Sequence, residues 1–287
     1  MKIEDWRNIA MQENVNGTTL YYETIGQGRP LMLMHGGLGV DHTFFLPWFE
    51  PLADEFQLIL YDHRGNGRSE RPESLSGVTH DTWAADADAL RQHLGFDKIA
   101  LLGHSYGGFL CLEYAVRYQQ HLAGLIPLCT APDFANSQVA LDNALARSTP
   151  EMVKTVQEGL ANPFPDDATY AAFMHTIMPL YFKNTENAKR MPDGELYSYS
   201  SLAHNYAFST TVPTYNVSEQ IKSIKVPTLV ISGADDWITP ASEGQRIHEA
   251  IAGSDFVVFQ ESGHMPFIEE QDAFLKLIRE WVGKLAF

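Results

Sequence analysis

The chain has 287 residues, 45% hydrophobic and 11% aromatic, which is enough for a sizeable core and excludes a disordered composition. Its net charge of −16 argues against nucleic acid and anionic membrane surfaces as partners, and no segment is long and apolar enough to span a bilayer as a helix. The two cysteines, Cys111 and Cys129, lie in apolar stretches and read as reduced, buried thiols; with charges at residues 1–7 where a leader would need an apolar run, this suits a cytoplasmic protein.

In chain order, residues 18–25 alternate as an antiparallel strand does, and residues 26–30 form a turn. Residues 31–34 are a short buried strand running into His35-Gly36-Gly37-Leu38-Gly39. Such a loop is either a plain turn or the source of a backbone N–H for an oxyanion. Residues 57–61 are another buried strand. The segment 62–69 after it resembles a phosphate-binding glycine loop but lacks the Gly-Lys-Ser/Thr ending, so a hydrogen-bonded structural turn is expected, with His63 and Arg64 as scaffold. Residues 81–94 have the spacing of an amphipathic helix.

The stretch that organises the chain comes next. An apolar strand at 99–102 ends in Gly103-His104-Ser105-Tyr106-Gly107, and residues 109–118 carry the apolar spacing of a helix. Strand, G-x-S-x-G, helix is the context of a nucleophile elbow. Ser105 is expected in a strained turn with its hydroxyl pointing out of the sheet, and Gly103 and Gly107 leave room where a Cβ would clash. The N-terminal amides of the following helix face the same spot, where negative charge would develop.

Residues 122–129 form the next strand, so strands alternate with helices and a mostly parallel sheet with helices on both faces is predicted. From about residue 133 to 220 that alternation stops. Helical stretches at 139–147, 151–160 and 169–178, then a segment rich in Met, Tyr and His, read as an inserted helical cap. The expected organisation is a core α/β portion at 1–132, the cap at 133–222 and a second core portion at 223–287. In that last portion a strand at 226–232, a helix at 240–251, a strand at 255–259 and a final helix at 266–285 are expected.

A serine hydroxyl is a poor nucleophile near neutral pH and needs a base, which in turn needs an orienting carboxylate. Gly233-Ala234-Asp235-Asp236-Trp237 and Ser262-Gly263-His264 both follow strands, on loops at the same sheet edge as Ser105. The order Ser105, Asp236, His264 is the one this architecture uses, with Asp235 the alternative acid. No metal-ligand spacing is present, and neither a metal nor a cofactor is expected.

Together the segments 103–108, 62–69, 233–240 and 262–264 resemble the α/β-hydrolase superfamily over nearly the whole chain. Residues 35–39, 61–69, 114–118 and 247–254 are similar to the proline iminopeptidases. The resemblance implies a Ser105–His264–Asp236 triad and an oxyanion hole from the N–H groups of Gly37 and Tyr106. Iminopeptidases hold the substrate's free α-amino group with glutamates, one from the cap and one directly after the triad aspartate. Here Trp237 follows Asp236, and the matching cap position, near His204-Asn205-Tyr206, holds no acid. An ammonium group without a partner is costly to bury, so aminopeptidase activity is disfavoured unless Glu195, Glu219 or Asp235 supplies the charge.

Three functions compete. The favoured one is a serine hydrolase of a small neutral ester or lactone, forming an acyl-enzyme on Ser105. The second is an iminopeptidase-type aminopeptidase or amidase with the same triad, and the third a non-hydrolytic binding protein. Carbon–carbon bond hydrolases share the triad, whereas an aspartate nucleophile is excluded by Ser105. The expected partner is a small acyl compound, on a monomer or homodimer. Trp237, Gly36, Leu38, Tyr206, Phe208 and Met178 are the candidate substrate-binding residues, with Met174, Tyr181 and Phe182 further cap candidates.

Overall fold

The computed structural model describes residues 7–191 and 198–287. Its strands are β1 (Arg7–Val15), β2 (Thr18–Ile25), β3 (Arg29–Met34), β4 (Phe56–Tyr61), β5 (Ile99–His104), β6 (Leu122–Leu128), β7 (Leu229–Gly233) and β8 (Asp255–Phe259). They form one sheet in the order β1-β2-β4-β3-β5-β6-β7-β8. β1 pairs antiparallel with β2 and β2 with β4; every pairing from β4 through β3 to β8 is parallel. This is the mostly parallel sheet the alternation of elements predicts. β1 is the exception, since its polar run carries no clear alternation. It is brought in by the turn at Asn16 and Gly17, whose positive φ values of 50° and 72° match a tight hairpin.

The central strands are apolar throughout because both faces are covered. Leu31, Leu33, Leu58, Leu60, Ala100 and Leu102 enter the core on one side of the sheet; Met32, Met34, Ile59, Tyr61, Ile99 and Leu101 enter the other. Helices α1 (His80–His93) and α2 (Tyr106–Tyr118) pack on the second side through Trp83, Leu90, Leu110 and Leu112. α1 starts at a capping box in which Thr79 and Thr82 satisfy each other's backbone N–H.

Between β6 and β7 the described residues form α3 (Ser137–Arg147), α4 (Pro150–Ala161), α5 (Asp167–Ile177) and α6 (Ser201–Tyr206), followed by a π-helical turn at Ala207–Thr211. Side-chain oxygens of Thr149, Asp166 and Ser200 accept from the N–H groups of Met152, Thr169 and Ala203 in the first turns of α4, α5 and α6. After β7 come α7 (Ala241–Ala250), then α8 (Pro266–Glu269) and α9 (Gln271–Val282). Ile247 of α7 joins the second core; Phe274, Ile278 and Val282 of α9 join the first. The single final helix expected from the sequence is therefore two, broken at Glu270 (φ −120°, ψ 46°). The Glu270 carboxylate turns back to accept from the Glu261 N–H at 2.9 Å and the Ser262 hydroxyl at 2.7 Å. No helix among the described residues is long and apolar enough to cross a membrane.

Candidate active site

β5 ends at His104 and α2 begins at Tyr106, leaving Ser105 alone in the turn at φ 56°, ψ −120°. A side chain in that conformation is strained by about 1–3 kcal/mol, and the surroundings hold it there. The Ser105 N–H donates to the Leu128 carbonyl at 3.0 Å, and its own carbonyl accepts from the Gly108 N–H and the Thr130 hydroxyl, both at 2.8 Å. A Cβ on Gly103 would stand 2.1 Å from the Gly107 carbonyl oxygen, and one on Gly107 2.1 Å from that of Met34. No side chain fits at either position. Tyr106 opens α2, so its N–H lies in the first turn, where helical acceptors are lacking. Its hydroxyl is anchored away from the turn, between His80 Nε2 at 3.0 Å and Thr211 Oγ1 at 2.9 Å.

The loop after β3 abuts the same place: a Cβ on Gly36 would lie 3.1 Å from that of Ser105. The loop is locked by the segment 62–69, which behaves as the structural turn expected of it. Asn66 Oδ1 accepts from the Gly39 N–H at 2.7 Å, and His63 Nε2 donates to the His35 carbonyl at 3.1 Å. The Asp62 carboxylate accepts from the N–H groups of His42 and Arg68 at 2.9 and 2.8 Å. Arg64 is engaged by Asp86 at 2.7 Å.

The acid and the histidine arrive on loops that touch. A Cβ on Gly233 would be 1.8 Å from the Gly263 carbonyl oxygen, so only glycine lets β7 meet the histidine loop. The N–H groups of Ala234 and Asp235 donate to the carbonyls of Phe259 and Ser262 at 2.9 and 3.0 Å. Asp236 is 4% exposed; its Oδ1 accepts from the N–H groups of Ile238 and Thr239, both at 3.0 Å, and its Oδ2 from the Thr239 hydroxyl at 2.9 Å. His264 Nδ1 lies 2.6 Å from Asp236 Oδ2, which leaves Nε2 bare, and among the described residues that atom has no partner. Asp235, the alternative acid, points elsewhere: both its oxygens take Arg147 at 2.8 Å.

The inserted segment holds this histidine loop. The His264 N–H donates to the Tyr181 carbonyl at 2.7 Å, while Glu269 accepts from the N–H groups of Gly263 (2.6 Å), Asn184 (3.1 Å) and Lys183 (3.3 Å). His104 Nε2 donates to the His264 carbonyl at 2.9 Å, and burial pushes the His104 pKa well down, so it serves as a neutral strut.

Two donor sets converge among the described residues, Cys129–Asp236–His264 and Asp41–His42–Asp62. In the first, the Asp236 oxygens are already engaged and burial pushes the Cys129 thiol up, away from the thiolate a metal requires. In the second, His42 Nδ1 bonds Asp62 at 2.7 Å. Both sets read as hydrogen-bonded networks.

A cavity opens over Ser105 and His264. Its walls include Gly36, Gly37, Val40, Phe44, Met178, Phe208, Trp237 and Ile238, and one face of α5 made by Tyr170, Phe173, Met174 and Ile177. Tyr181, His204, His104 and Met265 complete them. Among the described residues no Asp, Glu, Lys or Arg lines it. Of the sequence candidates, Gly36, Trp237, Phe208 and Met178 are therefore in the wall, with Met174 and Tyr181. Leu38 and Tyr206 are not. Leu38 is fully buried in the core on the α2 side, and the Tyr206 hydroxyl is spent on the Val78 carbonyl at 2.8 Å. Phe182 is likewise core. The sequence reading missed Tyr170, Phe173 and Ile177, although their i, i+3, i+7 spacing with Met174 marks one helix face.

A family model described as alpha/beta hydrolase fold matches residues 29–271. A proline iminopeptidase of Saccharolobus solfataricus is 31% identical, over 95% of this chain and 92% of its own. Among solved structures, an esterase from Exiguobacterium antarcticum superposes with a TM-score of 0.78 at 23% identity, over 96% of this chain and all (100%) of its own. An enol-lactonase from Burkholderia xenovorans superposes at 0.75 and 23%, with the same coverage. At that identity both likenesses concern the fold.

Proposed function

This chain belongs to the α/β-hydrolase fold family, in its proline iminopeptidase-like branch, and within it we propose a serine hydrolase that cleaves small, uncharged esters or lactones through an acyl-enzyme on Ser105. The Ser105 hydroxyl attacks the carbonyl while its proton passes to His264 Nε2, the bare nitrogen. Asp236, 2.6 Å from Nδ1, fixes that tautomer and stabilises the imidazolium as it forms. The N–H groups of Gly37 and Tyr106 receive the oxyanion; each such donor is typically worth about 10²–10³ in rate. Collapse expels the alkoxide, which takes the proton from His264, and water repeats the sequence to free the acid.

The observation that carries the substrate assignment is the cavity wall, which has no carboxylate among the described residues. A free α-amino group would leave water without a counter-charge there. Of the acids that could supply one, Asp235 is paired with Arg147 and Glu219 with Lys222, while Glu195 lies outside the described residues. Against this stands the iminopeptidase reading, favoured by the name of the relative at 31% identity. The same triad would serve it, and only the amine site differs. The serine mechanism is tested by incubating the protein with a short-chain p-nitrophenyl ester. Wild type is expected to release p-nitrophenol and to gain one acyl mass at Ser105, whereas Ser105→Ala should lose about 10⁴–10⁶ in kcat while keeping its fold. Full activity in a folded Ser105→Ala sample would overturn the mechanism.

A further inference from the structure

The acid of the triad is held by more than its histidine. Asp236 Oδ1 accepts the N–H groups of Ile238 and Thr239, both at 3.0 Å, bonds that an aspartate makes to the backbone just after it whatever side chains follow. Oδ2 takes His264 Nδ1 at 2.6 Å and, on the same oxygen, the Thr239 hydroxyl at 2.9 Å. A carboxylate has about four lone-pair sites, so Asp236 is fully engaged, and the hydroxyl is the one donor besides His264 that depends on a side chain. Thr239 is 6% exposed, and its Oγ1 stands 3.5 Å from His264 Nδ1, so the two donors meet side by side at Oδ2.

The hydroxyl does not serve the helix that follows. A threonine just before a helix ordinarily caps it. Here α7 begins at Ala241 and its N-cap is Pro240, with no side-chain cap bond. Nor does Thr239 line the cavity. Its hydroxyl bears instead on the charge that His264 depends on. The other titratable groups against that ring are His104 and Tyr181, at centroid separations of 4.6 and 5.4 Å, and the Cys129 thiol. Burial pushes the pKa of the first down and those of the other two up, so all three are neutral. Glu269 meets the histidine loop at the Gly263 N–H rather than at the ring. The Asp236 carboxylate therefore balances the imidazolium, and a donor on Oδ2 takes up part of the charge that does so.

We infer that Thr239 is a positioning residue of the triad, whose hydroxyl fixes Asp236 Oδ2 against His264 Nδ1 and tempers the basicity of the ring. The inference rests on the serine-hydrolase reading and adds a residue to its machinery. The sign follows from the shared oxygen. Without the hydroxyl, Oδ2 keeps more charge for the imidazolium, His264 protonates at higher pH, and the acid limb of kcat/KM moves up. The carboxylate also loses a bond that sets its orientation, so kcat falls. Substrate binding is untouched, because Thr239 is no part of the cavity wall.

The test compares Thr239→Val, which removes the hydroxyl at nearly constant shape, with Thr239→Ser, which keeps it. Values of kcat and KM for p-nitrophenyl acetate are measured across about pH 5–9, at the wavelength where p-nitrophenol and its anion absorb equally. In Thr239→Val the acid limb should move up by about 0.5–1 in pH, and kcat should fall about tenfold with KM unchanged, the scale of one hydrogen bond to a charged group. Thr239→Ser should restore both. A limb that stays put or moves down in Thr239→Val, an unchanged kcat, or a Thr239→Ser variant that behaves like Thr239→Val would overturn the inference. If Thr239→Val fails to fold, Thr239→Ala gives the same readings. Loss of fold in both, with Thr239→Ser sound, would make the hydroxyl a requirement of the fold and likewise overturn the inference. Wild-type hydrolysis no faster than that of Ser105→Ala would instead overturn the underlying serine-hydrolase reading.

Discussion

Asp235 and Asp236 are neighbours in the chain and differ in every contact that matters. Asp236 is buried, accepts three hydrogen bonds from residues 238 and 239, and meets His264 Nδ1. Asp235 is half-exposed and binds Arg147, an interaction worth at most about 1 kcal/mol at such a surface. Asp236→Asn is therefore expected to lower kcat by about 10³–10⁴, because an amide favours the wrong imidazole tautomer. Asp235→Asn should stay within a few-fold of wild type; the reverse ranking, measured on purified variants, would move the acid's role to Asp235. The distinction was half legible in the sequence. The distance from Gly233 favoured Asp236, but only the packing of Gly233 on Gly263 shows why the loop must turn there. Ser105 was legible because the glycines around it leave few other conformations. The place of His204 in the wall was not, since which cap residues face a cavity is a property of the assembled fold rather than of local spacing.

At the scale of elements, α5 shows what periodicity conveys and what it omits. The spacing of Tyr170, Phe173, Met174 and Ile177 announces a helix with one apolar face, yet a face that lines a cavity and a face that meets a core have the same period. What decides is the neighbouring helix. Gly159 of α4 sits against Phe173 so closely that a Cβ would stand 2.2 Å from its ring. Gly159→Ala gains about 1 kcal/mol in helix propensity but forces that ring aside, an overpacking cost of about 1–3 kcal/mol. A fall in Tm of a few degrees is expected, together with a KM change larger for an octanoate than for an acetate ester. A raised Tm with both KM values unchanged would contradict this placing of Phe173 in the wall. The two misread elements have physical causes as well. β1 is an edge strand recruited by a hairpin turn, and the last helix is cut at Glu270, whose carboxylate serves the histidine loop.

Across the molecule, the sheet gathers Ser105, Asp236 and His264 at the carboxyl ends of β5, β7 and β8, where a parallel sheet offers its crevice. A second buried charge cluster sits behind the loop after β3. Burial alone would push the His42 pKa down, but Asp62 at 2.7 Å and Glu23 at 3.6 Å, an ion-pair separation, raise it to about 9. Glu23 is in turn lowered to about 2, chiefly by His42. The imidazolium's contribution is thus complete below the unfolded histidine pKa of about 6.5 and is lost as pH rises through 9, with an upper bound of about 3 kcal/mol. The carboxylate's contribution is lost only on acidification towards pH 2. Tm should therefore decline between pH 7 and 10 more steeply in wild type than in His42→Gln; parallel curves would contradict the charged cluster.

The proposed specificity is for an uncharged acyl group, not a free amine, beneath the wall above Ser105. The most direct measurement is kcat/KM of the wild type on a short-chain p-nitrophenyl ester, on proline p-nitroanilide and on its N-acetylated form. The ester is expected to be cleaved readily, and the blocked anilide at least as well as the free one, because no carboxylate among the described residues of the wall meets the ammonium group. Efficient cleavage of the free-amine anilide with rejection of the blocked one would contradict the claim and make the chain an aminopeptidase.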